Sequence, residues 1–334
     1  MTIKDIARES GYALGTVSRA LNGKPDVSQE ARQKILAVAK EKDFVVNSNA
    51  RQLKQNSTTS VAILFKGISN LLFASLAEKM QSLIEEAGYT VLVHYFDEDS
   101  DEVAEAERLC REQKPLGLVF LGGNLENFRR GFGKIKLPSV LVTNSAAALG
   151  YANLSSVATD DVAGARAAVD FLLDSGHRNI GVIGGNRLVS FTSELRFRGC
   201  VEAFERHGLA FDSAGQYEQA RYSYESGYIA MKGLLGRMPN MTAVFAMSDV
   251  MAVGACRAIC DAGLSVPDDI SVVGYDGVPL ASYYNPVLAT VRQDGDKLAA
   301  RGVEILMDCI RRGAPASHEL TGFSLVKGAS VKAI

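Results

Sequence analysis

Thr16-Val17-Ser18-Arg19-Ala20-Leu21-Asn22 carries two messages on one helix. Val17, Ala20 and Leu21 stand at i, i+3 and i+4, so they form a stripe that must be buried. Thr16, Ser18, Arg19 and Asn22 point elsewhere, and each can hydrogen-bond a phosphate or a base edge. A short helix packed on one face and lined with such donors on the other suits a DNA major groove. Spacing alone describes any solvated amphipathic helix, and that plainer reading is the commoner one. The flanking residues decide.

Upstream, Thr2 followed three residues later by Asp5 resembles a capping box, with Ile3, Ile6 and Ala7 as its apolar stripe. Gly11 ends that first helix. Downstream, Gly23-Lys24-Pro25-Asp26 reads as a loop, and Ser28 caps a third helix with Ala31, Ile35, Val38 and Ala39 inward. Three short helices with a tight glycine corner make a helix-turn-helix unit, too small to be robust alone.

Thr2-Ile3-Lys4-Asp5-Ile6-Ala7, then Gly11, then Thr16 through Gly23, then Val27-Ser28 resembles, without a gap, the head of the lactose-repressor (LacI/GalR) family. The resemblance implies a double-stranded operator as partner and a recognition helix beginning near Leu14. Leu14, Gly15, Thr16, Ser18, Arg19 and Asn22 would then face DNA. Gly15 offers no side chain to a base, and Leu14 either meets a thymine methyl or packs in the turn. By the same resemblance Asn47, Ala50, Arg51, Leu53 and Lys54 belong to a hinge helix. Leu53, the one large apolar side chain between Val46 and Val61, would wedge into the minor groove. Val46 stands where relatives commonly carry proline, a change that weakens helix initiation.

The chain has 334 residues, 47% of them hydrophobic, enough for more than one core. Net charge is −2, yet residues 1–57 hold ten basic and six acidic side chains. A basic head on an acidic body directs any polyanion to the N-terminus. The five cysteines include no CxxC pair and read as buried reduced thiols. Neither a signal-peptide core nor a bilayer-length apolar run is legible, so the expected compartment is the cytoplasm, with no membrane partner.

From Val61 the pattern changes. Continuous apolar runs at 61–65, 90–93, 117–121 and 139–142 alternate with helical patterns, as in a parallel sheet covered on both faces. The rhythm restarts after Asp160, with helices at 162–173, 194–206, 224–235 and 250–262 and strands at 180–183, 243–246 and 270–273. The predicted fold is therefore α/β: a helix-turn-helix head followed by a two-lobed core with parallel sheets. By resemblance that core is like a periplasmic sugar-binding protein. The expected boundaries are 1–46 for the head, 47–59 for hinge and linker, and 60–334 for the core. Its first lobe would take about 60–158 and 292–321, and its second about 159–291 and 322–334. Crossings between lobes are expected near 158, 291 and 322, and helix 297–310 would return to the first lobe.

Ligands of open α/β sheets bind beyond the carboxyl ends of the strands. Thr143-Asn144, Asn186, Ser248-Asp249 and Tyr275-Asp276 follow such ends, although each is also a plausible cap or turn, and Asp160 and Asp249 read first as caps. The resemblance sharpens this set to Leu72, Phe73, Thr192, Arg196, Tyr222, Ser248, Asp276 and Gln293. Arg196 and Asp276 would pair on effector hydroxyls beside an aromatic platform, Tyr222. The plainer readings are a salt bridge across the helix for Arg196 and a turn for Asp276. Thr143 and Ser248 depart from the aspartate and asparagine of relatives, which argues for an effector other than the common hexoses and galactosides.

Catalysis finds no motif. The four histidines have no metal-ligand spacing, and no nucleotide fingerprint or nucleophile elbow is present. The expected protein is a homodimeric, ligand-responsive transcription factor with no catalytic residue, metal or cofactor. It represses carbohydrate genes under a sugar or sugar phosphate. The rival is a cytosolic sugar-binding protein without DNA function.

Overall fold

The structure, a computed structural model, describes residues 3–21, 27–42, 59–67 and 70–334. The chain forms two units, Met1–Thr58 and Thr59–Ile334.

In the first unit, α1 (Ile3–Ser10), α2 (Leu14–Leu21) and α3 (Gln29–Glu41) pack pairwise. Ile6, Val17, Ala20, Val27, Ala31 and Ile35 make the core, with Leu21 and Val38 half-buried against it. Gly11 takes φ +74° where α1 stops, a conformation that penalises any side chain with a Cβ. The Ser28 hydroxyl accepts from the Ala31 amide at 3.3 Å and starts α3, as its position in the sequence suggests. The capping box expected at Thr2 lies outside the described residues.

The second unit begins with β1 (Ser60–Lys66), α4 (Leu71–Glu86), β2 (Thr90–Phe96), α5 (Glu102–Gln113), β3 (Gly117–Leu121), α6 (Leu125–Gly131), β4 (Ser139–Val142) and β5 (Leu154–Thr159). It continues with α7 (Asp161–Asp174), β6 (Ile180–Gly184), α8 (Phe191–Arg206), α9 (Ser213–Gln216), β7 (Tyr217–Gln219), α10 (Tyr224–Arg237), β8 (Ala243–Ala246) and α11 (Asp249–Asp261). The remaining elements are β9 (Ser271–Asp276), α12 (Pro279–Tyr283), β10 (Ala289–Gln293), α13 (Gly295–Arg312), β11 (His318–Thr321) and β12 (Phe323–Val326).

Two six-stranded sheets result, in the orders β11-β5-β4-β3-β1-β2 and β12-β10-β9-β8-β6-β7. All pairings are parallel except β10 with β12. Strand β1 explains the apolar runs. Val61, Ile63 and Phe65 enter the core under α4 and α13, while Ala62 and Leu64 enter the core under α5 and α6. Alternate residues face opposite sides of a strand, so a sheet covered twice needs both sets apolar.

The chain passes between sheets at Asp160, Asp294 and Gly322, against expected positions near 158, 291 and 322. Val291 to Gln293 therefore stay with the second sheet. Strands β5, β7, β10, β11 and β12 were not predicted. In β5, Ser155 and Ser156 look like loop residues, but both are buried and bonded: Ser156 Oγ lies 2.8 Å from His318 Nδ1 and accepts from the Ala146 amide at 2.9 Å. Tertiary partners convert polar residues into strand residues there. Only Cys200 and Cys256 are buried; Cys110 and Cys309 are half-buried and Cys260 is exposed, which corrects the expectation of uniformly buried thiols.

Helices α10 and α11 meet backbone to backbone. A Cβ on Gly254 would strike the Tyr224 carbonyl, and one on Gly227 would strike the Met251 main chain. Main chain cannot yield as a flexible side chain does. Gly254→Ala is expected to lower the stability of the second unit by about 1–3 kcal/mol in urea titration, through overpacking. A loss no larger than that of an ordinary surface change would refute this contact.

Candidate functional site

The carboxyl ends of both sheets border one cleft, with a cavity of about 670 Å³. Leu72, Phe73, Thr192, Arg196, Tyr222, Asp276 and Gln293 line it, together with Thr143 and Asn144. Ser248 does not line it. Its buried hydroxyl accepts from the Met251 amide at 3.3 Å and caps α11, a correction to its expected role in binding. Asp249 in turn is not the cap. Its Oδ2 accepts from the Val278 amide at 2.8 Å and its Oδ1 from Thr290 Oγ1 at 2.6 Å. Asp160 does cap α7, through the Ala163 amide at 3.0 Å. Asn186 shapes its own loop by accepting from the Leu188 amide at 3.0 Å.

Arg196 comes from the second turn of α8, which Ser190 caps through the Ser193 amide. It is 4% exposed and held from several sides. Nε donates to Asp161 Oδ1 at 2.8 Å, Nη1 donates to the Met247 carbonyl at 2.5 Å, and Nη2 lies 3.7 Å from Asp276 Oδ1. The guanidinium carbon sits 3.7 Å from the Tyr275 ring centroid, and the Tyr275 hydroxyl donates to Asp161 at 3.1 Å. Burial disfavours the cation, but Asp161 foremost, then Tyr275, Tyr222 and Asp276, hold its pKa above the usual arginine value. Arg196 does form a salt bridge, but with Asp161 on α7 rather than across its own helix, as the plainer reading had it.

Asp276 closes β9 at φ +106°, and Gln293 closes β10 and donates to it from Nε2 at 2.8 Å. Gln293 accepts in turn from Thr159 Oγ1 at 2.7 Å. Burial pushes the Asp276 carboxyl up to about 6, against the lowering pull of Arg196. Asp161 is likewise raised, chiefly by burial. Thr143, at the end of β4, takes φ +79°, a conformation a β-branched residue rarely adopts. Two such strained residues, one from each sheet, line the cavity and mark a place where the fold fixes side chains against local preference.

Besides the Thr159–Gln293 hydrogen bond, polar contacts among the described residues join the lobes across the cleft. Thr192 Oγ1 donates to Asn144 Oδ1, and Arg221 pairs with Asp99. Residue reasoning missed the outer lining: Lys66, Glu98, Asn124, Asn127, Arg130 and Arg221. Part of the signal was available, because Lys66, Glu98, Asn124 and Arg221 lie at or just beyond the carboxyl ends of β1, β2, β3 and β7, whereas Asn127 and Arg130 reach the cleft from α6.

On the first unit, Leu14, Gly15 and Arg19 are exposed, Thr16 and Ser18 are half-buried, and Val17 and Ala20 turn inward. Leu14, 40% exposed, does not pack in the turn. Asn22, Asn47, Ala50, Arg51, Leu53 and Lys54 lie outside the described residues. Among the described residues no cluster of acidic, histidine or cysteine side chains is arranged to hold a metal, and no helix is long and apolar enough to cross a membrane.

Residues 2–47 match the family described as bacterial regulatory proteins, lacI family, and residues 169–331 match a periplasmic binding protein-like domain. Over the whole length the chain is similar to the HTH-type transcriptional regulator MalR of Clostridium butyricum, at 34% identity and 98% of both chains. Among solved structures, the lac repressor dimer bound to operator and the anti-inducer ONPF is similar with a TM-score of 0.79, at 25% identity over 100% of this chain and 99% of that one. A complex of the transcriptional regulator CelR with cellobiose is similar at TM-score 0.72 and 26% identity, over 99% of both.

Proposed function

Because this chain belongs to the lacI family of bacterial regulatory proteins, we propose that it is a homodimeric repressor whose grip on an operator is set by a sugar in the interlobe cleft. The head, 1–46, places the exposed face of α2 in the major groove, and two heads read half-sites about one helical turn apart. The hinge, 47–59, carries Leu53 as a minor-groove wedge. The core, 60–334, takes the effector between Arg196, Asp276, Gln293 and Tyr222. It is a cytoplasmic binding protein and not an enzyme.

The observation that carries the reading is the division of α2, with Val17 and Ala20 buried and Leu14, Gly15 and Arg19 presented outward. Any solvated helix divides in this way, and the match of residues 2–47 to the lacI family supports DNA as what this outward face meets. The similar regulator bound to cellobiose and the similar repressor bound to operator support both halves of the reading. An effector moves operator affinity only by its preference for one lobe arrangement, typically ~1–3 kcal/mol.

The test is fluorescence anisotropy of the full-length protein on upstream fragments and on scrambled duplex. Arg19→Ala is expected to weaken specific binding by about 1–3 kcal/mol, as for loss of a bidentate base contact, and to leave random duplex little changed. Equal affinity of the unaltered protein for all duplexes at matched salt refutes the repressor reading.

A further inference from the structure

We propose that the outer half of the cleft, from Lys66 and Asn127 to Glu98 and Arg130, is a second-ring subsite, so that the effector is an uncharged saccharide of two pyranose rings. This rests on the cleft being the effector site. Three observations carry it.

The first is size. Even at the ~30 Å³ per heavy atom of liquid water, the dozen heavy atoms of a hexose fill roughly 360 Å³, and the cavity has about 670 Å³. The second is layout. On the first sheet the lining runs from Asn144, after β4, past Asn127, after β3, and Lys66, at the end of β1, to Glu98, after β2. Those are three strand spacings, or ~14 Å. On the second sheet it runs from Gln293, on β10, to Arg221, after β7, four spacings or ~19 Å apart. Polar groups therefore continue well beyond the Arg196–Asp276 end, and the Asp99–Arg221 pair bridges the lobes at the far edge.

The third is charge. Among the described residues, all four cationic side chains of the lining already face a carboxylate: Lys66 with Glu102 at 2.6 Å, Arg130 with Asp101 at 3.9 Å, Arg196 with Asp161, and Arg221 with Asp99. The lining also holds six carboxylates against these four cations. A phosphate would have to break such pairs and sit beside the surplus acids. Hydroxyls, which both donate and accept, suit paired carboxylates, amides and guanidinium groups better. Glucose 6-phosphate is accordingly excluded as the preferred class.

Calorimetric titration of the full-length protein tests this with maltose, cellobiose, lactose and trehalose against glucose, galactose, mannose and glucose 6-phosphate. At least one disaccharide is expected to bind roughly tenfold more tightly than its own monosaccharides and than the phosphate. Glu98→Phe, which fills the outer end, and Arg130→Ala, at an exposed position, are each expected to weaken that disaccharide about tenfold and to leave monosaccharide binding within about twofold. A monosaccharide or its phosphate binding as tightly as every disaccharide overturns the second subsite and spares the effector site. So does an equal loss of one-ring and two-ring ligands in both variants. Failure of all eight compounds to bind overturns the effector site itself, and the subsite with it.

Discussion

Replacing Arg196 with methionine is expected to cost the second unit about 3–5 kcal/mol at pH 7, because it strips the cation from a buried pair and leaves the carboxylates behind. Methionine preserves much of the volume, so the loss is one of charge rather than packing. Asp161 loses the 2.8 Å hydrogen bond from Nε, Asp276 loses its nearby cation, and the Met247 carbonyl loses its donor. Both carboxyls are already raised by burial, and Arg196 is the charge that pulls each back. Without it their folded-state pKa values climb further, so the folded variant takes up protons that the unfolded chain releases near the ordinary 3.8. Its stability deficit must therefore shrink as the pH is lowered from 7 to 5. Urea titration at the two values, with Arg196→Met and the double variant Arg196→Met/Asp161→Asn, reads this directly. The double variant should recover part of the loss. A deficit below about 1 kcal/mol, or one indifferent to pH, would show that this ion pair does not organise the site.

The second large effect comes from Asp249, 1% exposed, whose described hydrogen-bond donors are the neutral Val278 amide and Thr290 hydroxyl. Burial, reinforced by the charge of Asp276, pushes its carboxyl from 3.8 up to about 8. The folded protein thus holds a proton there at neutral pH that the unfolded chain has given up. Its contribution to stability is complete below 3.8 and is lost as the pH rises to about 8, by at most ~1.4 kcal/mol per unit. Asparagine imitates the neutral carboxyl. Asp249→Asn should therefore gain on the unaltered protein by about 2–4 kcal/mol between pH 5 and 8, measured as the difference of two denaturation series. Parallel series would mean that Asp249 is ionised in the fold.

Much of this was legible beforehand where local pattern and burial agree. The α2 stripe, the Ser28 cap and the doubly covered strands follow from spacing that any packed partner would enforce. The set Arg196, Asp276, Gln293, Tyr222 and Thr192 was reached by resemblance, and the structure brings those five to one cavity wall. Ser248 went astray because a serine after a strand looks the same whether it meets a ligand or caps the next helix. Only the direction of its hydroxyl distinguishes the two.

The sequence by itself determined the division into a small helical head and an α/β body, since periodicity is a property of neighbours along the chain. It also placed the chemistry of the head, because the donors and the packed stripe share one helix. What only the tertiary structure decided is which partners distant residues find. Asp161 was an unremarked helix residue until Arg196, thirty-five positions later, donated to it. Ser155 and Ser156 became strand residues only beside β11. The reach of the cleft toward Lys66, Asn127 and Glu98 emerged only from the order of strands in the sheet. Hydrogen bonds and ion pairs between such groups depend on distances of a few ångströms, and separation along the chain carries no information about those distances.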